Sequence, residues 1–154
     1  MLSTVTERLP AALRHRISFA LIRLAAVARQ HCAEVLAEAG LLQHQHAILC
    51  CLDEYGPAFQ KDIARRLGID SGDIVAFVDK LQAAGLIRRE RDTRDRRRQL
   101  LSITDDGRRE LKRIERLFDE AEPGALGVLT ADERAELHRM ATRVLERHAP
   151  RAWS

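Results

Sequence analysis

Apolar side chains at Leu13, Ile17, Ala20, Leu21, Leu24, Ala28, Val35 and Leu36 recur every three or four residues, the period of one helix face. The pattern predicts a single amphipathic helix from near Pro10 to just before Gly40. Roughly 30 residues at 1.5 Å each would run about 45 Å, more apolar stripe than one small domain covers. A second helix is expected over residues 43–54, with Ile48, Leu49 and Leu52 inward and Gly56-Pro57 as its stop.

Beyond Pro57 the elements shorten. A helix over residues 59–67, the turn Gly68-Ile69-Asp70 and a helix over residues 71–84 form a helix-turn-helix pattern. In the latter helix Ile74, Phe77, Val78 and Leu81 make the buried stripe, Asp70 or Ser71 caps the start and Gly85 ends it. Residues 86–91 and 99–103 each suit a short strand and flank a charged turn, so they read as a β-hairpin with its tip at 92–97. A hairpin directly after a helix-turn-helix is a wing. Thr104 then caps a helix with Asp105 and Asp106 in its first turn, which runs through Leu111, Ile114, Leu117 and Phe118 to a break at Pro123-Gly124. Thr130-Ala131-Asp132-Glu133 is a capping box opening a last helix that ends before Pro150. The expected fold is mainly α with a small β-hairpin wing, in the order α-α-α-α-β-β-α-α.

Composition adds little until charge is mapped. The 154 residues are 45% hydrophobic, 32% charged and only 4% aromatic, which suits long helices packed through aliphatic side chains. Net charge is +3, yet residues 88–98 hold seven arginines against three acids, leaving −1 for the rest. One basic element on a near-neutral body fits a protein that presents that element to a polyanion. Cys32, Cys50 and Cys51 show no CxxC spacing, so neither a disulfide framework nor a zinc site is expected, and a reducing compartment is. Glu7, Arg8, Arg14 and Arg16 interrupt any signal-peptide core, and Arg23 interrupts the most apolar stretch, residues 17–28. The expectation is a cytoplasmic protein with no membrane partner.

From Leu41 to Gly107 the chain resembles the MarR family of winged-helix regulators. The resemblance rests on Leu41-Leu42-Gln43-x-Gln45, on residues 62–69 (DIARRLGI), on Val78-Asp79-Lys80-Leu81, and on residues 84–89 (AGLIRR). Its most specific part is Asp92-x-x-Asp95-Arg96-Arg97-x-x-x-Leu101-x-Ile103-Thr104-x-x-Gly107. It implies a homodimer held by terminal helices, residues 1–40 and 105–154, around a winged core at 41–104. It also implies a recognition helix in the major groove of double-stranded DNA, a wing in the minor groove, and a small effector, oxidant or occasional metal as the switch.

Several residues carry two readings. Arg94, Arg96, Arg97 and Arg98 form a solvated tip or a DNA-contacting wing, since arginine forks onto phosphates and enters narrow minor grooves. Asp95, an acid in that segment, is expected to orient a wing arginine, Arg97 by family analogy. In the recognition helix, Gly72, Asp73, Val75 and Ala76 stand where relatives often carry Ser, Thr or Arg. Asp73 stabilises the helix start or accepts from cytosine N4, and Val75 or Ala76 touches thymine methyls. Ser71, Lys80, Gln60 and Lys61 are candidate phosphate contacts. His31, His44 and Ile48 are candidate effector-pocket residues, against a surface or packed reading. Cys32 is a small core hydrophobe or a redox sensor. His44 and His46, at i and i+2, face apart and make no metal pair. No cofactor is expected. The function that follows is a repressor acting on a pseudo-palindromic operator; the alternatives are a winged-helix interaction module with lost DNA readout or a thiol-sensing regulator. No GxSxG, HExxH or phosphate loop supports an enzyme.

Overall fold

The computed structural model describes residues 9–149; the reading of Glu7 and Arg8 as incompatible with a leader falls outside them. Ten elements follow in order: α1 (Ala11–Arg14), α2 (Ile17–Glu38), α3 (Gln43–Tyr55), β1 (Ala58–Phe59), α4 (Gln60–Leu67), α5 (Ser71–Ala83), β2 (Ile87–Arg91), β3 (Gln99–Ile103), α6 (Asp105–Leu126) and α7 (Ala131–His148). Contacts divide the chain into two compact units that meet within α6, between Phe118 and Asp119.

In the first unit, the core gathers Ile48, Leu49 and Leu52 from α3, Ile63 from α4, Ile74, Val78 and Leu81 from α5, Ile87, Leu101 and Ile103 from the sheet, and Leu111 and Ile114 from α6. Each fully buried aliphatic side chain contributes about 1.5–3 kcal/mol, so the helix-turn-helix and the sheet are held by one shared interior. Between α4 and α5 the chain reverses at Gly68, which adopts left-handed φ 65°, ψ 30°, a conformation that a side chain disfavours. Asp70 rather than Ser71 caps α5: its carboxylate accepts the Gly72 N–H at 2.8 Å. The sheet has the order β1-β3-β2 and is antiparallel throughout.

Thr104 joins the wing to α6. Its hydroxyl donates to the Gly85 carbonyl at 2.7 Å and accepts the Gly107 N–H at 3.0 Å. Its own N–H reaches the Leu86 carbonyl at 3.0 Å. A Cβ on Gly107 would sit 2.7 Å from Ile103 Cγ1 and nearer still to that Leu86 carbonyl. Only glycine lets α6 approach the turn after α5 this closely.

Three details differ from the sequence reading. The first predicted helix is broken at His15-Arg16, where Arg16 is extended (φ −93°, ψ 121°) and Arg14 Nε turns back to the Leu9 carbonyl at 3.0 Å. Leu13 and Ile17, the apolar positions flanking the break, are both exposed, so no burial holds the two segments in one line. Pro123 does not stop its helix, which continues to Leu126. Proline removes its own N–H donor from the ladder, and three further residues complete the last turn of the helix. Finally, Ala58 and Phe59 pair with Leu101 and Leu100, adding a two-residue strand too short for any periodicity.

In the second unit the predicted capping box closes both ways. Glu133 N–H reaches Thr130 Oγ1 at 3.3 Å, and Thr130 N–H reaches Glu133 Oε2 at 2.7 Å. Among the described residues no helix is long and apolar enough to cross a membrane.

Candidate nucleic-acid interface

Burial of Ile74, Val78 and Leu81 leaves the opposite face of α5 open. That face carries Ser71, Gly72, Asp73, Val75, Ala76 and Lys80, all exposed. Val75 is 42% exposed, an aliphatic surface on an otherwise small and polar face. A cleft of about 600 Å³ lies between the starts of α4 and α5 and the wing, and its lining includes Gln60, Lys61, Ser71, Asp95, Arg97 and Arg98. Six expected site residues from three separate segments thus share one concavity. Lys80, in the last turn of α5, and Arg94 and Arg96, at the wing tip, stand outside its lining.

The wing tip is ordered by aspartates acting on the backbone. Asp92 Oδ1 accepts the Arg94 N–H and Asp95 Oδ1 accepts the Arg97 N–H, each at 3.0 Å. Asp92 N–H reaches the Arg98 carbonyl at 3.0 Å, and Arg98 N–H reaches the Asp95 carbonyl at 2.9 Å. The expected pairing of Asp95 with the Arg97 side chain is therefore corrected: Asp95 binds the Arg97 main chain, a short side chain satisfying a local turn. The guanidinium groups of Arg94, Arg96 and Arg97 stand in no ion pair among the described residues.

Arg98 behaves differently from its neighbours. Its guanidinium lies over the Phe59 ring, 3.5 Å from the centroid, and 3.9 Å from Asp92 Oδ2. Arg89 on β2 pairs with Asp79 on α5. Both links were invisible in the sequence because they join residues 39 and 10 positions apart. They fix the wing against β1 and the recognition helix, while Arg94, Arg96 and Arg97 keep their charge free. Gln60 Oε1 and Gln99 Oε1 are enclosed without a partner in the same cleft, so Gln60 presents less to solvent than a phosphate contact was expected to.

The other candidates disperse. Ile48 is completely buried in the core cluster, which corrects its assignment to an effector pocket. His44 is exposed with its ring 5.3 Å from that of Phe77, and His31 is half-buried on α2. Neither histidine lines the cleft beside the wing. Cys32 is half-buried, Cys51 buried and Cys50 exposed, so the accessible thiol is not the one the sequence favoured. Cys50 Sγ lies 3.4 Å from His46 Nε2, one turn earlier on α3. Although the residue as a whole is exposed, partial burial of its thiol, followed by the charges of Glu115 and Asp53, raises the Cys50 pKa. Burial lowers that of His46 despite Glu115.

This geometry has close parallels. The sequence model of the MarR family matches residues 41–98, from just before α3 to the end of the wing tip. The HTH-type transcriptional regulator TtmR of Methylorubrum extorquens is 31% identical over 140 residues, spanning 91% of this chain and 71% of that one. The chain belongs to the MarR family. A probable transcriptional regulator from Pseudomonas aeruginosa superposes with a TM-score of 0.67 at 32% identity, covering 86% of this chain and 98% of its own. The PcaV transcriptional regulator from Streptomyces coelicolor, solved in complex with its natural ligand, gives 0.66 at 25% identity, with 90% and 98% covered. This MarR-family chain is a winged-helix, DNA-binding transcriptional regulator.

Proposed function

We propose that this MarR-family protein is a cytoplasmic homodimeric repressor that binds a pseudo-palindromic operator and is released by a small effector. The observation that carries the reading is the wing: three arginines free of ion pairs beside the open face of α5, on a hairpin whose base is tied down. In this reading α5 enters the major groove, with Asp73, Val75 and Ala76 against base edges and Ser71, Gly72, Lys61, Gln60 and Lys80 toward the backbone. Arg94, Arg96 and Arg97 enter or flank the minor groove, where narrow width deepens the negative potential.

Residues 41–104 form the reading core, and residues 1–40 and 105–154 the dimerisation region. Ile17, Leu21, Ile22 and Val27 on α2, and separately Met140, Val144 and Leu145 on α7, are exposed among the described residues, more apolar surface than scattered singletons would leave. A two-fold axis through such surfaces would set two recognition helices on successive major grooves. Repression follows from occupancy, because a dimer covering an operator excludes other proteins from it. PcaV's ligand complex supports effector control.

The test is binding to duplex DNA carrying a near-palindrome, with half-site centres about 10 bp apart, and to the same DNA with five base pairs inserted at the dyad. The insertion turns one half-site to the opposite face and should abolish tight binding. Equal affinity for both duplexes would overturn the dimeric docking.

A further inference from the structure

We propose that His46 and Cys50 form a binding site for a sulfur-tolerant divalent transition metal of the Zn²⁺ class, on the face of α3 that Glu115 of α6 overlooks. The two residues are spaced i and i+4, which places their side chains on one face of a helix one turn apart. Their donor atoms are 3.4 Å apart. Zinc bonds of about 2.3 Å to sulfur and 2.0–2.1 Å to imidazole nitrogen, meeting at a tetrahedral angle, require a separation of roughly 3.5 Å. The bite is already that of two vertices of a zinc tetrahedron.

The surroundings favour a cation. Cys50 is exposed, so the residue lies outside the packed core. Glu115 from α6 bears electrostatically on both His46 and Cys50, and Asp53 on Cys50. Asp53 is engaged by Arg108 at 3.2 Å. Glu115 stands in no ion pair among the described residues and is exposed, which leaves its carboxylate free to turn toward the metal. The His46 ring packs 5.8 Å from that of Phe118, an apolar wall that restrains the imidazole while its Nε2 faces the sulfur. Among the described residues no three donors already converge on one point. The preformed part is therefore the His46–Cys50 pair; Glu115 becomes the third ligand by rotation and water the fourth. Binding replaces the thiol proton, which leaves to solvent, with a metal–sulfur bond, and neither partner changes oxidation state. The site lies on a different part of the first unit from the cleft beside the wing and does not depend on the operator reading.

The experiment is a titration of the purified full chain with Co²⁺, followed by the near-ultraviolet thiolate-to-cobalt charge-transfer band, with Zn²⁺ as competitor. One equivalent of Co²⁺ should develop the band, and Zn²⁺ should erase it by displacement. Cys50→Ser should abolish the band, while Cys32→Ser and Cys51→Ser retain it. His46→Gln and Glu115→Gln should each weaken metal binding by about 10-fold or more, at least the loss that removing an outer-shell partner brings. Circular dichroism of each variant establishes that it is folded; Cys50 and Glu115 are exposed, so their replacement leaves the core intact. A wild-type chain without the band, a band that survives Cys50→Ser, or unchanged affinity in His46→Gln would each overturn the proposal.

Discussion

The Arg98 guanidinium lies 3.5 Å from the centroid of the Phe59 ring, and that contact joins the returning limb of the wing to the residue before α4. Phe59 also pairs with Leu100 across β1 and β3, so one residue braces the hairpin base twice, by its ring and by its main chain. An arginine stacked on an aromatic face and shared with Asp92 is not free to follow a phosphate. In the proposed complex, Arg98 acts through the wing it steadies.

Arg98→Ala and Phe59→Leu should each weaken operator binding by about 0.5–2 kcal/mol, the range of such contacts. The double variant should lose little more than either single one, because both remove the same brace. The slope of log K against log salt should stay at the wild-type value in all three. Arg97→Ala, by contrast, should lower affinity by about 1–3 kcal/mol and flatten the slope by about one unit. Additive losses, or a flattened slope in Arg98→Ala, would return Arg98 to the phosphate contacts.

Asp95 offers a second discrimination. Its carboxylate accepts the Arg97 N–H at 3.0 Å, a bond that an asparagine carbonyl oxygen reproduces. Asp95→Asn should therefore keep nearly wild-type affinity, whereas Asp95→Ala loosens the tip and weakens binding by about 0.5–1.5 kcal/mol. Were Asp95 an ion-pair partner of the Arg97 side chain, both substitutions would weaken binding. Fluorescence anisotropy on a labelled operator measures the difference.

Most of the first unit could be read from the sequence because its elements obey local rules. Ile74, Val78 and Leu81 have helical spacing, Asp70 supplies a cap, and Gly68 and Gly85 stop helices, each within a few residues of what it controls. Motif and spacing likewise placed Arg94, Arg96, Arg97 and Arg98 between two strands, as in the hairpin of β2 and β3. What escaped depends on contacts between distant segments: the β1 pairing with β3, the seat of Arg98 on Phe59, and the Arg89–Asp79 link. Ile48 was misplaced for a related reason, since periodicity marks an inward face without saying whether a cavity or packed side chains lie there. The His46–Cys50 contact follows from an i, i+4 spacing, whereas His44 and His46, at i and i+2, face apart.

Close approach at Gly107 makes a stability prediction. A Cβ there would meet the Leu86 carbonyl and Ile103, and a backbone carbonyl bonded to Thr104 N–H cannot simply step aside. Gly107→Ala should destabilise the fold by about 2–3 kcal/mol. Gly124→Ala, at a helical position with nothing within 4 Å of the added carbon, should stabilise by about 0.5–1 kcal/mol. Chemical denaturation of the pair separates steric strain from backbone entropy; equal effects would contradict the packing described.

Stability should also fall at both ends of the pH range. Burial depresses the His46 pKa below its ordinary 6.5, so the unfolded chain binds the proton more readily. Stability is then present above pH 6.5 and is lost as pH falls toward the folded value. Cys50 and Cys51 are raised above 9.0, chiefly by burial. The unfolded thiols ionise first, and stability declines as pH rises beyond 9.0. His46→Gln should flatten the acid limb while leaving the alkaline limb unchanged, as read from urea midpoints at a series of pH values. An unaltered acid limb would mean that His46 titrates alike in both states.

The exposed aliphatic faces carry the prediction about assembly. Ile17 is 78% exposed on α2 and Val144 59% exposed on α7, so neither contributes to the interior of its own unit. A charge placed at either position leaves those interiors intact, and Ile17→Glu or Val144→Glu should retain wild-type helicity. In a self-complementary interface each substitution appears twice, bringing two carboxylates into a surface that otherwise excludes water. Burying an unpaired charge is strongly unfavourable, so the variants should sediment as monomers at concentrations where the wild type is a dimer. They should also bind the full operator no more tightly than an isolated half-site, because two recognition helices are no longer held at one spacing. Sedimentation equilibrium and half-site titrations test the two consequences separately. A wild-type monomer, or variants that remain dimers, would mean that these faces are covered by something other than a second copy.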